Sequence, residues 1–307
     1  MKLNTLNKDI INIIKNYIIF KPKNKDELQK VVNSWCKNKD EALKLYGHIS
    51  NWDTSSITDM SELFIEKNSF NDNINYWNVS NVINMAYMFS ECYAFNQPLD
   101  NWNISNVEIM DTIFHQCKNF NQPLSNWDVS NVKNMRGMFM FCHIFNQPLN
   151  NWNVSNVKDM GYMFSECNNF NQPLYKWNVS NVQDMTFMFD VCEKFNQHID
   201  NWNTSNVNTM FGMFGYCEVF NQPLNNWNVS NVRDMSLMFC RCKNFNQPLS
   251  KWNISNVTDM CNMFEYCENF NQNLNDWDVN DDCDIYDMFS YAKNFNYNKN
   301  AEWYEDD

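Results

Sequence analysis

Glycine is nearly missing, with five residues in a chain of 307, and proline contributes only seven. So few glycines leave no Gly-rich loop to cradle a phosphate, which excludes a P-loop and a dinucleotide fingerprint. Histidine is scarcer still. The four present (His48, His115, His143 and His198) fall at unrelated positions, and no Cys-x-x-Cys pair occurs. Without such a cluster a zinc site is not expected, and without a Ser, Cys and His combination neither is nucleophilic catalysis. We therefore expect no catalytic residue, no metal, no cofactor and no enzyme. Long apolar runs are absent too, and Lys2, Lys8 and Lys15 interrupt the N-terminal stretch that would otherwise resemble an export signal. The expectation is an intracellular protein with no membrane insertion. Positive charge is outnumbered, 23 Lys and Arg against 36 Asp and Glu, for a net charge of −13. Phosphate backbones repel such a chain, so the expected partner is a protein and no nucleic acid. The twelve cysteines, with no export signal, read as reduced thiols.

What the chain does have is a repeat. Ten tryptophans, Trp52, Trp77, Trp102, Trp127, Trp152, Trp177, Trp202, Trp227, Trp252 and Trp277, stand 25 residues apart with no insertion. A constant period means that each unit fills the same volume beside its neighbour, the signature of a solenoid whose function lies on a surface. Within the third unit, Leu99, Trp102, Ile104 and Val107 follow the spacing of leucine-rich repeats, and the alternation of Trp102 and Ile104 predicts a short strand. Met85, Met88, Phe89 and Cys92 fall at i, i+3, i+4 and i+7, the spacing of one helix face. In nine of the ten units the residue before that face is Asp, Asn or Thr, such as Asp59, Asn84 and Asp159, which reads as an N-cap; Ile109 is the exception. Proline in Phe-Asn-Gln-Pro-Leu then returns the chain to the next strand. The expected fold is an α/β solenoid: a leucine-rich-repeat-like right-handed coil of ten 25-residue strand and short-helix repeats, with an α-helical N-terminal cap.

Three segments follow. Residues 1–47 lack the repeat and carry three helical patterns. The first runs over Leu6 to Ile18, making residues 1–20 a possible separate docking helix. The second starts at Asn24 and Glu27 and the third at Asn38 and Glu41, both with capping-box spacing. Residues 48–296 hold the repeats, and residues 297–307 form an acidic tail. Eight cysteines (Cys92, Cys117, Cys142, Cys167, Cys192, Cys217, Cys242 and Cys267) share one repeat position and read as small apolar core residues. The asparagines Asn81, Asn106, Asn131, Asn156, Asn181, Asn206, Asn231 and Asn256 read as a ladder of amides bonded to the backbone of adjacent turns. Against this constant frame, Met140, Phe141, Phe187, Val191, Phe211, Tyr216 and Leu237 vary at outward positions of the central units, and they are the candidate interaction surface.

The phrase Trp-Asn-Val-Ser-Asn-Val-x-Asp-Met-x-x-Met-Phe, followed by Cys and Phe-Asn-Gln-Pro-Leu, resembles the BspA-like repeat family of mycoplasma lipoproteins, protists and giant DNA viruses. The stretch from Lys25 to Trp52 also looks like the segment preceding the repeats in many members. The resemblance implies a leucine-rich-repeat-like solenoid and a non-enzymatic binding role. Its surface members are regarded as adhesins, whereas the heavy Asn, Ile and Lys usage suits a giant-virus-like, host-intracellular member. A second resemblance, of Leu6-Asn7-Lys8-Asp9-Ile10 to the opening of a degenerate F-box, implies an alternative: a substrate receptor that recruits a ubiquitin ligase.

Overall fold

The computed structural model describes residues 19–304. The Leu6–Ile18 pattern and the F-box-like stretch lie outside the described residues. Two helices form where the capping signals stand. Helix α1 spans Lys25–Lys37, with the Asn24 side chain accepting the Glu27 N–H. Helix α2 spans Lys39–Tyr46, with Asn38 accepting from Glu41 N–H and Gly47, at φ 72°, ending it. A 3-10 turn follows at Ile49–Asn51, and a four-residue helix α3, Tyr297–Asn300, lies at the other end. No helix among the described residues is long and apolar enough to cross a membrane.

Between Trp52 and Trp277 the expected strands and helices are replaced by turns. Among the described residues the only β pairings are nine isolated parallel bridges, from Asp59↔Asn84 to Asp259↔Asp284. They pass through the residues read as helix N-caps and through Ile109, not through Trp102 and Ile104. The α/β strand-and-helix coil is therefore overturned, and with it the leucine-rich-repeat geometry. Every N–H from Met60 to Lys67 shows what stands in its place. Met60, Glu62, Phe64 and Glu66 donate to Asn84, Ala86, Met88 and Ser90 of the next unit, all at 2.9 Å. Leu63, Ile65 and Lys67 donate three residues back, to Met60, Glu62 and Phe64. Ser61 N–H goes to the Asp59 side chain at 2.8 Å. Half of the segment's donors thus serve the neighbouring unit, and an α-helix, which keeps its donors for its own chain, cannot form.

These successive turns bend through the left-handed region. Two positions per unit have φ near +60°: Glu62 and Glu66, Tyr87 and Glu91, Phe187 and Val191, and so on, eighteen non-glycine residues in all, with Gly137 and Gly212 filling the same positions in two other units. A residue in that region at the third place of a turn closed by an i+3 N–H is the mark of a type II turn. The N-cap signal has the same origin. Asn84, Asp184 and Asp234 accept the N–H two residues on, at 2.9, 2.8 and 3.0 Å, an Asx-turn whose donor geometry matches that of a cap.

The packing frame is a set of columns. Phe64, Phe89, Phe114 and their equivalents to Phe289 form an unbroken stack. Its ring centroids are 5.4 Å apart at the first step and 5.6 Å at the last. A second Phe column starts at Phe70 and lies against the first, as Phe89 on Phe95 at 4.2 Å. From Trp77 to Trp277 each column Trp donates its indole N–H to a carbonyl 28 residues earlier, Trp152 to Leu124 at 3.0 Å. Each column cysteine does the same with its thiol, Cys142 to Phe114 at 3.0 Å. The amides of Asn81 to Asn256 bond the backbone 26 residues back, Asn156 Nδ2 to Ser130 O at 2.7 Å, so the expected ladder is present. A second ladder, Asn71 to Asn246, accepts the N–H of the next Asn. At the far end Trp303 stacks on Trp277 at 6.4 Å and gives its N–H to Leu274.

All twelve cysteines are free, and only Cys36, Cys261 and Cys283 are partly exposed. Burial pushes the thiols of Cys36 and Cys283 up to about 11, and burial together with the nearby Asp284 and Asp259 carboxylates pushes that of Cys261 to about 12. A thiol-specific reagent at pH 8 is expected to label at most these three, slowly, while denaturant exposes all twelve and reductant leaves the unfolding transition in place. Fast labelling of the column thiols would remove them from the core.

Candidate interaction surface

Side chains at the left-handed positions point away from the frame; none of the eighteen is buried. A left-handed residue reverses the chain locally and turns its Cβ outward, so the least comfortable backbone positions carry the most variable side chains. Five of the seven candidate residues (Phe141, Phe187, Val191, Tyr216 and Leu237) occupy such positions. Tyr216 is exposed, and the other six are half-buried.

The structure joins some of them into strips along the stack. Phe187 meets Phe211 edge-on at 4.5 Å and Tyr162 at 5.2 Å. The Arg136 guanidinium lies over the Tyr162 ring at 4.8 Å and bonds Asp184 at 2.9 Å, passing over Gly161, where a Cβ would come within 2.6 Å of Nη1. Glycine is also required beneath Phe187, because a Cβ on Gly212 would lie 2.2 Å from that ring. Phe141 contacts His115 and His143, at 5.8 and 6.2 Å. Met140, Val191 and Leu237 carry no ring and add aliphatic surface between these contacts. The second strip was largely missed. Arg241 lies between Tyr216 and Tyr266, 5.2 and 4.3 Å from the two centroids, and Tyr291 stacks on Tyr266 at 4.4 Å. Tyr216, Arg241, Tyr266 and Tyr291 share one repeat position, and reading that column to the end of the chain would have found them.

Flat rings and a guanidinium plane suit recognition of another protein surface by stacking and cation–π contact. Chemistry needs more than this. Among the described residues no three His, Cys, Asp or Glu side chains converge as a metal would require. The most perturbed carboxyl is that of Asp190, pushed up to about 7 by burial and by the nearby Glu166. It lies against Gly215, whose added Cβ would be 2.7 Å from Oδ1. The sign of the linkage is fixed: the unfolded chain releases this proton near pH 4, the folded chain near 7, so stability is highest below the first value and falls as pH rises through the second. Asp190→Asn should flatten that fall and raise the melting temperature at pH 8 while changing little at pH 4. Equal losses with pH in both proteins would show that Asp190 is ionised and solvated.

No curated protein and no solved structure matches the chain significantly. A family described as Mycoplasma protein of unknown function, DUF285, does match, over residues 33–143, 122–222 and 189–303. These three overlapping segments span nearly all of the described residues, so the chain, with its repeating Trp, Phe, Cys and Asn columns, belongs to that family.

Proposed function

We propose that the protein is a non-enzymatic scaffold for protein–protein interaction that binds through the lateral surface of its repeat stack. The supporting observation is the division of labour between columns. Positions facing inward keep Trp, Phe, Met and Cys, whereas the left-handed outward positions hold Glu, Gln, Thr, Val, Leu, Arg, Tyr and Phe on one rigid frame. A fixed frame with changing outward side chains is how repeat proteins present a binding face. The two aromatic strips, with arginines laid across them, are its strongest elements because Tyr and Phe give large contact areas at small entropic cost and the planar Arg guanidinium stacks on them. Twelve free thiols favour a reducing, intracellular compartment. We read the repeat as BspA-like, of the giant-virus type, on its phrase and on its Asn-, Ile- and Lys-rich composition.

Substitutions separate surface from frame. Phe187→Ser with Phe211→Ser should leave the circular dichroism spectrum unchanged and the melting temperature within a few degrees, yet reduce capture of proteins that bind the wild-type chain. Trp152→Ala empties a buried site and removes an indole hydrogen bond, and should cost about 3–5 kcal/mol. If the Phe pair destabilises as much as the Trp does, those rings belong to the frame and the lateral surface is not the binding face.

A further inference from the structure

Contact between units has a direction, and the direction leaves the two ends of the stack chemically different. Near the C-terminal end Met260, Asn262, Phe264 and Tyr266 donate to the carbonyls of Asp284, Tyr286, Met288 and Ser290 at 2.7–2.9 Å. The equivalent donors one unit on are the N–H groups of Ile285, Asp287, Phe289 and Tyr291, and these have no acceptor among the described residues. Trp303 and Tyr304 close the Trp column and one edge of Phe289, and among the described residues nothing accepts from the donor row. Tyr291, 64% exposed, ends the second aromatic strip beside it. A cavity of about 210 Å³ opens there, bounded by Phe289, Tyr291, Ala292, Lys293, Phe295 and Tyr297.

The other end is covered. There the first unit presents carbonyls, and α1 lies across them: Gln29 Nε2 donates to Leu63 O at 2.9 Å, and Lys25 reaches Asp59 at 3.1 Å and the Ser61 hydroxyl. Leu28, Val31, Val32 and Trp35 of α1 are buried.

These facts narrow what can occupy the open row. A second copy docked tail to tail would set N–H against N–H, and one docked head to tail would meet α1 in place of carbonyls. An ordinary β-edge mixes donors with acceptors and would leave its own N–H groups facing donors. An anion is disfavoured by Asp281, Asp282, Asp284 and Asp287 and by the net charge of −13. Along this row a run of carbonyls, with a ring or guanidinium to lie on Tyr291, is what each unit of this repeat presents to its predecessor, and the indole, thiol and amide donors that point back the other way lie beside it. We infer that the C-terminal end of the stack is a docking surface for the carbonyl edge of another chain built from the same 25-residue repeat, one whose first unit carries no covering helix. The contact would continue the unit–unit interface across a chain boundary. It does not rest on the lateral surface.

Full-length protein with α1 loosened (Lys25→Ala, Gln29→Ala and Val32→Asp together) offers the missing carbonyl edge. In sedimentation velocity it should associate head to tail with rising concentration, more strongly as salt screens the shared negative charge. Added wild-type chain, with one open and one covered end, should stop that growth, and Tyr291→Asp in the loosened protein should weaken it. A loosened protein that keeps its circular dichroism spectrum and stays monomeric, or one whose assembly wild-type chain does not limit, overturns the inference. Should the loosened protein fail to fold, hydrogen exchange on the wild-type chain decides. A synthetic peptide of residues 52–77 at millimolar concentration should slow exchange at 285–291 by on the order of tenfold, whereas a scrambled peptide should not. Unchanged exchange, or equal slowing by both peptides, overturns it.

Discussion

A backbone hydrogen bond that leaves its own unit is the interaction on which the rest of the structure depends. Alternate N–H groups of each turn segment reach the carbonyl 24 residues ahead, as Phe139 does to Met163 and Phe164 to Met188. That fixed offset requires a constant period, and the constant period aligns like residues into columns. Phe therefore lies on Phe, Cys above Cys and Asn on Asn. The columns in turn satisfy the polar groups that the turns would strand: the Trp indole and the Cys thiol each close a carbonyl of an earlier unit. An inserted residue would displace every column beyond it at once.

Much of this frame was legible in the sequence because periodicity reports burial, and burial was read correctly. Trp, Met, Phe and Cys at the expected positions are buried from the second unit to the ninth, and the Asn81–Asn256 column bonds backbone as anticipated. The path of the chain between buried points was not legible. Met85, Met88, Phe89 and Cys92 lie inward on successive turns as they would on a helix, so the spacing does not separate the two. The Asp or Asn ahead of them bonds the N–H two residues on in either case. The discriminating feature is where the other N–H groups go, and that is a property of the neighbouring unit, which no local pattern contains.

Left-handed backbone was hidden for a related reason. Glycine is the usual marker of that region, and a chain with five glycines gives no hint of twenty such positions, eighteen of them filled by other residues. Tyr, Glu, Phe and even the β-branched Thr112 and Val191 are held there, at about 1–2 kcal/mol each. The gain that offsets this is the ladder bond made by the same residues, since Glu62, Thr112, Phe187 and Val191 each donate to the next unit. Strain and stacking are thus properties of one residue, and a unit removed from the stack would keep the strain and lose the bond.

The same coupling explains why the outward surface tolerates variety. At a left-handed position the backbone contributes the stacking bond whatever the side chain, and the side chain, directed outward, contributes little to the frame. Phe141, Glu166, Val191, Tyr216, Arg241 and Tyr266 follow one another in a single column with the same backbone bond in each unit. Replacing one by another alters what the surface offers and leaves the hydrogen-bond pattern intact. Glycine enters this pattern only at Gly137 and Gly212, and in each case a side chain of the preceding unit, Thr112 or Phe187, occupies the space its Cβ would take. A large residue at one position therefore constrains the next residue in its column. The strip from Tyr162 through Phe187 to Phe211 is set by that pairing as much as by its individual rings, and Phe187 is held by packing before any partner arrives.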